Sequence, residues 1–181
     1  MFRSGRARYR IAEPLITFYQ VVMRPQWGLL ESGRARAVWP DAKARFSAQV
    51  LGPHFEDLCR EYALDAPAEV FGGLPGVVGA GMVADPARRS QIEIDVAVLA
   101  PAIPGEPRRV LSLGEARWGE TVGNRHIERL RRARDLLASR GYDTRDTVLA
   151  LYSGAGFEPG LGASAAPDRI RTVDVNALFR F

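Results

Sequence analysis

Two carboxylates and one fixed cation are the residues here whose types and spacing suit chemistry. Asp95 stands in the run QIEIDVAVL (91–99), and Glu115 and Arg117 stand in SLGEARWGET (112–121). Each acid sits in a hydrophobic run that reads as a strand, and the Pro- and Gly-rich loop APAIPGEPRR turns one run back on the other. A carboxylate in mid-strand among Ile and Val costs free energy unless something compensates it. Two facing carboxylates repel, and each raises the pKa of the other. A hard divalent cation answers both problems, and Mg2+ is typically held by one or two carboxylates plus waters. Arg117 lies two residues beyond Glu115 and so shares its face of an extended strand. Acid, acid, spacer, cation is a constellation suited to phosphodiester cleavage. The metal lowers the pKa of its bound water and neutralises the phosphate, while the basic residue positions the nucleophile or stabilises developing charge. A plainer arrangement fits the same residues: strand-end acids facing solvent, with Glu115 paired to Arg117 across one face.

The elements that must position these residues read as an α/β domain with a mixed sheet. Residues 91–99 are the clearest strand, with Ile92, Ile94, Val96 and Val98 on one face and Glu93, Asp95, Ala97 and Leu99 on the other. A second strand runs from Val110 to about Trp118, and Thr147 to Tyr152 is a short apolar strand of the buried kind. The five glycines of VFGGLPGVVGAGMVAD (70–85) mark a weak strand or hairpin. Thr121 to Arg140 is a helix with Ile127, Leu130, Ala133, Leu136 and Leu137 inward, closed by Gly141. Upstream, Pro14 opens a helix that Arg24-Pro25 ends, residues 26–40 are mixed, and a second helix starts near Asp41. Gly52-Pro53 breaks that helix and restarts it as one bearing Phe55, Leu58, Cys59 and Tyr62 inward, with Glu56 beside the stripe. A final element spans Arg171 to Leu178. The division expected is a tail and helical extension over 1–40 and the α/β domain over 41–181, with residues 1–10 a tail or severed linker.

Composition sets the bounds. The hydrophobic fraction of 46% and charged fraction of 25% are those of an ordinary globular protein. No run of eighteen apolar residues is present, so no membrane-spanning helix is expected. The basic start followed by apolar residues is interrupted by Glu13-Pro14 and lacks a small-residue cleavage site, which argues against a signal peptide. A single cysteine, Cys59, excludes an internal disulfide and fits a reducing, cytoplasmic setting. Of the 25 basic residues only Lys43 is a lysine, a bias that a GC-rich genome would produce. A net charge of +4 permits nucleic-acid binding without demanding it.

The helix after the Glu115 strand carries Arg125, Arg129, Arg131, Arg132, Arg134 and Arg140 against Glu120, Glu128 and Asp135. It reads as a phosphate-contacting face, with Asn124 and Arg125 reaching substrate from the first turn and Arg129 and Arg132 following. It reads equally as a solvated face with pairs such as Glu128–Arg132. His126 is placed to assist a proton transfer or is a polar surface residue. With His54 the only other histidine and no Cys/His cluster, a structural zinc site is not expected. Trp118 reads as a packing residue, and Trp27 and Trp39 as a small secondary core or part of an interface. GGLPGVVGAG lacks the strand–turn–helix setting of a nucleotide fingerprint.

FEDLCREY (55–62), QIEIDVAVL (91–99) and LGEARWGETVGNRHIERLRRARDLL (113–137) together resemble a PD-(D/E)XK nuclease-type domain. They are similar to the C-terminal domain of unknown function 234 that follows many archaeal and bacterial AAA-type ATPases. There a helix carries F-E, a strand carries I-D and a strand reads G-E-A-K-W. The likeness extends to YRIAEPLITFYQVV (9–22), the segment joining that domain to a preceding winged helix, and so covers about Tyr9 to Asp174. The resemblance implies a restriction-endonuclease-like core and a Mg2+- (or Mn2+-) dependent DNA-processing nuclease. It makes Glu56 the acid of the first core helix, Asp95 the central metal ligand, Glu115 the second acid and Arg117 the occupant of the lysine position. The partners implied are DNA, a separate AAA-type ATPase and, where the chain self-associates, further copies of itself; no membrane is implied. No G-x-x-x-x-G-K-[ST] loop is present, so the chain should not hydrolyse ATP; it is a fragment, a split or decayed gene, or a free-standing relative. Arginine stays protonated, so charge stabilisation survives at residue 117 and general-base work does not. A catalytically silent module that binds nucleic acid or docks an ATPase is the alternative expectation.

Overall fold

The structure, a computed structural model, describes residues 11, 13–161 and 168–179. The arginine-rich stretch 1–10, expected to be a tail or linker, lies outside the described residues. Helix α1 (Pro14–Phe18) starts where the Glu13 side chain accepts the Ile16 N–H at 2.9 Å and Pro14 sets the first turn.

The helical path does not end at Arg24-Pro25. It passes through a π turn (Tyr19–Met23) and a 3-10 turn (Arg24–Gln26) into α2 (Trp27–Glu31). Pro25 opens its own short turn, where its missing N–H is not required. Helix α3 (Ala35–Phe46) then begins before the expected Asp41 start and takes Pro40 into its interior. Nor does Gly52-Pro53 break the chain: a π turn (Ser47–Leu51) leads into α4 (Gly52–Asp65), and Gly52 keeps helical angles of φ −56 and ψ −57. The division drawn at residue 40 therefore falls inside α3. The N-terminal helices enclose a small core of Val22, Val38 and Ala42, edged by Phe18 against Phe46 at a ring distance of 5.4 Å. Trp39 meets Phe46, which edges this core, at a tilt, while Trp27 meets Tyr19 edge-on outside it; both tryptophans are exposed and neither is buried in the cluster.

After a one-turn helix α5 (Ala68–Phe71), closed by Gly72 in the left-handed region, the chain enters a five-stranded sheet. Its strands β1 (Val77–Asp85), β2 (Ser90–Leu99), β3 (Val110–Arg117), β4 (Val148–Ser153) and β5 (Arg169–Asp174) lie in that spatial order. Strand β2 is antiparallel to both of its neighbours, β1 and β3, while β3, β4 and β5 are parallel. Helix α6 (Asn124–Ala138) makes the crossover from β3 to β4. The fold is α/β with a mixed open sheet covered on both faces.

Each face has its own core. Ile127, Leu130, Ala133 and Leu137 of α6 pack on Ile92, Ile94, Leu113, Leu149 and Leu151. Phe55, Cys59 and Tyr62 of α4 pack on Val96, Val98, Ala150 and Tyr152 of the opposite face. Helical spacing places the α4 and α6 residues on single stripes, and β4 is buried on both sides as its unbroken apolar run requires. Cys59 is fully buried and behaves as a small hydrophobe whose thiol pKa is driven up by burial.

The simple alternation expected for β2 is overturned. Ile92 and Ile94 belong to the α6 side, whereas Val96 and Val98 belong to the α4 side, and Ala97 and Leu99 return to the first. A β-bulge causes the switch. Gly79 pairs with Ala97 and Gly81 with Ile94, so Asp95 and Val96 together oppose the one residue between those glycines. The residue that the expectation placed on a regular face therefore sits in the bulge.

Candidate active site

The bulge re-aims Asp95. Strand β2 pairs with β3 through Val96 and Gly114, and the register stops there. Where the ladder would continue, the Asp95 carboxylate accepts the Ala116 N–H at 2.9 Å through Oδ2. Its own carbonyl accepts Arg60 Nη1 from α4 at 2.7 Å. Backbone groups released by the bulge are thus satisfied by side chains, as burial demands. Arg60 also holds Asp57 at 2.6 Å and Glu56 at 3.7 Å. Glu56 is consequently joined to the Asp95 backbone through Arg60.

Arg117 gathers three acids. Its Nη1 lies 3.3 Å from Asp95 Oδ2, its Nη2 donates to Glu115 Oε1 at 2.5 Å, and its Nε lies 3.2 Å from Glu120 Oε1. From α6, Arg129 Nη1 donates to the same Glu115 oxygen at 3.1 Å, and its Nη2 to the Glu93 carbonyl at 3.2 Å. Asp95 is 4% exposed and Glu115 1%, so the arrangement of two solvent-facing strand-end acids does not hold. The Glu115–Arg117 pair does form, at the end of a buried strand rather than across an open face. Glu115 Oε2 is buried and has no hydrogen-bond partner among the described residues.

Two glycines make room for this geometry. A Cβ at Gly114 would lie 2.8 Å from the Tyr152 ring and 3.0 Å from the Val96 carbonyl. A Cβ at Gly154 would lie 2.6 Å from Trp118, which packs against Phe55 at a ring distance of 5.5 Å. Trp118 is therefore a packing residue beside the site, as expected.

Burial is the largest influence on both inner acids, and it pushes the pKa values of Asp95 and Glu115 up. The Ala116 N–H and Arg117 act in the opposite sense on Asp95, as Arg117 and Arg129 do on Glu115. The Asp95 charge adds to the rise at Glu115, so the two carboxylates feel one another.

A cavity of about 250 Å3 opens on the site, lined by Glu115, Arg117, Glu120, Arg125, His126 and Arg129. His126 is buried in the first turn of α6, with Nδ1 3.0 Å from the Gly123 nitrogen and Nε2 3.9 Å from Glu120 Oε1. Glu120 is half exposed and touches Arg117, Arg125 at 2.9 Å and the His126 edge. Sequence reasoning counted Glu120 only as a charge on the following helix; its spacing of three from Arg117 was the available signal.

The residues expected to meet nucleic acid divide into two groups. Arg125 and Arg129 border both this cavity and a neighbouring groove of about 780 Å3, which Arg88 and Gln91 extend. Asn124 is exposed at the first position of α6. Arg132 lines the same groove but grips Asp85, itself 1% exposed at the end of β1, through two hydrogen bonds. The Glu128–Arg132 pair of a solvated face does not form; Glu128 holds Arg131, and Arg131 and Arg134 both hold Asp168.

Comparison with protein-family models, with curated proteins and with solved structures finds no match. Among the described residues no group of three or more His, Cys, Asp or Glu side chains is gathered to hold a metal, and no helix is long and apolar enough to cross a membrane. The donor set is two hard carboxylates, a chemistry that suits Mg2+ or Mn2+ completed by water. The unpartnered Glu115 Oε2 is the observation that fits such an ion.

Proposed function

We propose that this chain is a metal-dependent, DNA-processing nuclease-type domain with a PD-(D/E)XK, restriction-endonuclease-like core. The observation that carries the reading is the meeting of two buried carboxylates, Asp95 and Glu115, where β2 and β3 stop pairing, with a basic side chain between them. Asp95 and Glu115 would hold a divalent cation, which supplies an activated water and charge neutralisation at a scissile phosphate. Arg117 contributes a fixed cation for developing charge, and Arg125 and Arg129 lie where a phosphate backbone would leave the cavity. Glu56 acts from α4 through Arg60. The similarity of the motifs to the domain that follows AAA-type ATPases supports a separate ATPase as partner, since the chain carries no phosphate loop of its own.

A second reading has its own observation: the Arg117 guanidinium already bridges one oxygen of each acid, as a metal would. On that reading the domain is a silent module that binds nucleic acid or docks an ATPase. Incubation of single-stranded, duplex and branched DNA with Mg2+ or Mn2+, comparing wild type with Asp95→Ala, separates the two. Cleavage lost in the variant supports the nuclease. Absence of cleavage on every substrate, with salt-sensitive binding retained, supports the silent module.

A further inference from the structure

The groove of about 780 Å3 lies between α6 and the turn that joins β1 to β2, and its charges divide unequally. Each of its three acids is held by an arginine of α6: Asp85 by Arg132, Glu128 by Arg131 and Asp135 by Arg134. Those pairs cancel, and the uncompensated charge lies to either side of them. Arg88, exposed in the turn, donates its backbone N–H to Asp85, but its guanidinium makes no hydrogen bond or ion pair among the described residues. Arg125, with 69% of its side chain exposed, gives Glu120 one contact and leaves Nη1 unengaged among the described residues. Arg129 likewise leaves Nε unengaged among them. The grip of Arg132 on Asp85 seats the turn beside the middle of α6, and Arg125 lies about 10 Å from Arg132 along the helix, toward the candidate site.

Ser90, Gln91 and Ser139 add uncharged polar groups, and no aromatic side chain of the described residues lines the groove. Grooves that hold single strands combine a basic track with aromatic platforms on which unpaired bases stack. A basic track without platforms suits a strand whose bases are already stacked in a duplex, and guanidinium contacts to its phosphates read backbone rather than sequence. We propose that this groove holds the phosphate ridge of one strand of duplex DNA, with Arg88 as the outer contact and Arg125 and Arg129 as the contacts next to the site. This inference rests on the DNA-binding part of the reading given above and not on its metal. At about 3.4 Å of axis per phosphate, the stretch from the turn to Arg125 spans roughly three phosphates. Arg131 and Arg132, already neutralised, fix the walls and add little attraction.

The test is fluorescence anisotropy of a labelled blunt DNA duplex, and of one of its strands alone, titrated over a range of salt in EDTA so that no cleavage competes. Wild type is compared with Arg88→Ala and with Arg36→Ala; Arg36 is exposed on α3 and does not line the groove, so its loss changes net charge alone. Wild type should bind the duplex more tightly than the single strand. Arg88→Ala should weaken duplex binding several-fold at low salt and lower the slope of log affinity against log salt by about one, while Arg36→Ala leaves the slope unchanged. Thermal melts of both variants should match wild type, because Arg88 is exposed and the substitution keeps its backbone N–H to Asp85. Equal effects of the two variants would reduce Arg88 to a share of net charge and overturn the proposal. Single strand bound as tightly as duplex would overturn the duplex assignment. Duplex binding with an unchanged slope in Arg88→Ala would remove this inference and leave the DNA reading standing, whereas binding of neither DNA by wild type would remove both.

Discussion

The carboxylate of Asp95 takes the place of a strand: its Oδ2 accepts the Ala116 N–H at 2.9 Å where the β2 backbone has turned away. This contact ties the position of the acid to the end of the ladder. Asp95→Asn keeps an oxygen for the Ala116 N–H and removes the charge, so the sheet should survive the change. Mn2+ affinity and DNA cleavage should fall at least by the roughly 10–100-fold typical of damage around a metal site. Calorimetric titration beside a circular dichroism melt checks both halves, and unchanged affinity would mean that Asp95 only shapes the backbone.

Arg117→Lys tests the proton-transfer half of the chemistry. Lysine loses the planar fork that reaches three acids, but it titrates, whereas arginine does not. For an active nuclease the expected result is a pH–rate profile with an added limb below the lysine pKa, absent from wild type. Identical profiles would show that residue 117 acts only as a fixed charge.

Stability should carry the signature of the buried acids. Burial raises the Glu115 pKa in the native state, so the native chain holds that proton more tightly than the unfolded chain. The resulting destabilisation is absent below the unfolded value of about 4.3 and grows as pH rises toward the native value. Glu115→Gln removes this dependence. Its stability relative to wild type should therefore increase with pH above about 4.3, and urea unfolding across pH 4 to 8 measures the trend. A relative stability that falls with pH would reverse the sign assigned to the site.

Arg132 and Arg125 should part company when each is replaced by alanine. Arg132→Ala takes from Asp85, 1% exposed, the two hydrogen bonds that Arg132 donates, leaving it only the Arg88 N–H, and should lower the melting temperature by roughly 5 °C. Arg125→Ala removes an exposed cation from the rim, should barely move the melting temperature, and should reduce the salt slope of DNA binding by about one. Equal salt slopes for Arg125→Ala and wild type would take Arg125 out of the phosphate path.

The floor of the site yields a last contrast. Tyr152 is fully buried and its hydroxyl has no partner among the described residues, so Tyr152→Phe should stabilise the fold by about 1 kcal/mol. Gly114→Ala pushes a methyl group against the same ring and the Val96 carbonyl, and should cost about 1–3 kcal/mol. Denaturant midpoints of the two single variants test both signs.

The parts legible in sequence are those that local periodicity controls. The α6 stripe, the buried β4 run and the strand character of 91–99 and 110–117 follow from spacing alone. Prolines misled the reading because their effect depends on neighbours: Pro25 and Pro53 open turns within a continuing helical path, and α3 absorbs Pro40. The bulge was invisible for a different reason. Residues 92–99 are apolar enough on both faces that a change of phase leaves no polar residue out of place except Asp95 itself. Glu120 escaped notice because its contacts with Arg117, Arg125 and His126 arise from three-dimensional convergence.

The bulge also makes Asp95 expendable to the strand. If Asp95 is struck out, Ile92, Ile94, Ala97 and Leu99 still face α6, and Val96 and Val98 still face α4, now in unbroken alternation. The ladder could then offer Ala116 a main-chain oxygen in place of the carboxylate. Loss of one codon would therefore mend the strand and remove the buried carboxylate in the same event. Asp95 is the extra residue of the bulge, and its removal would leave the packing of both cores in place.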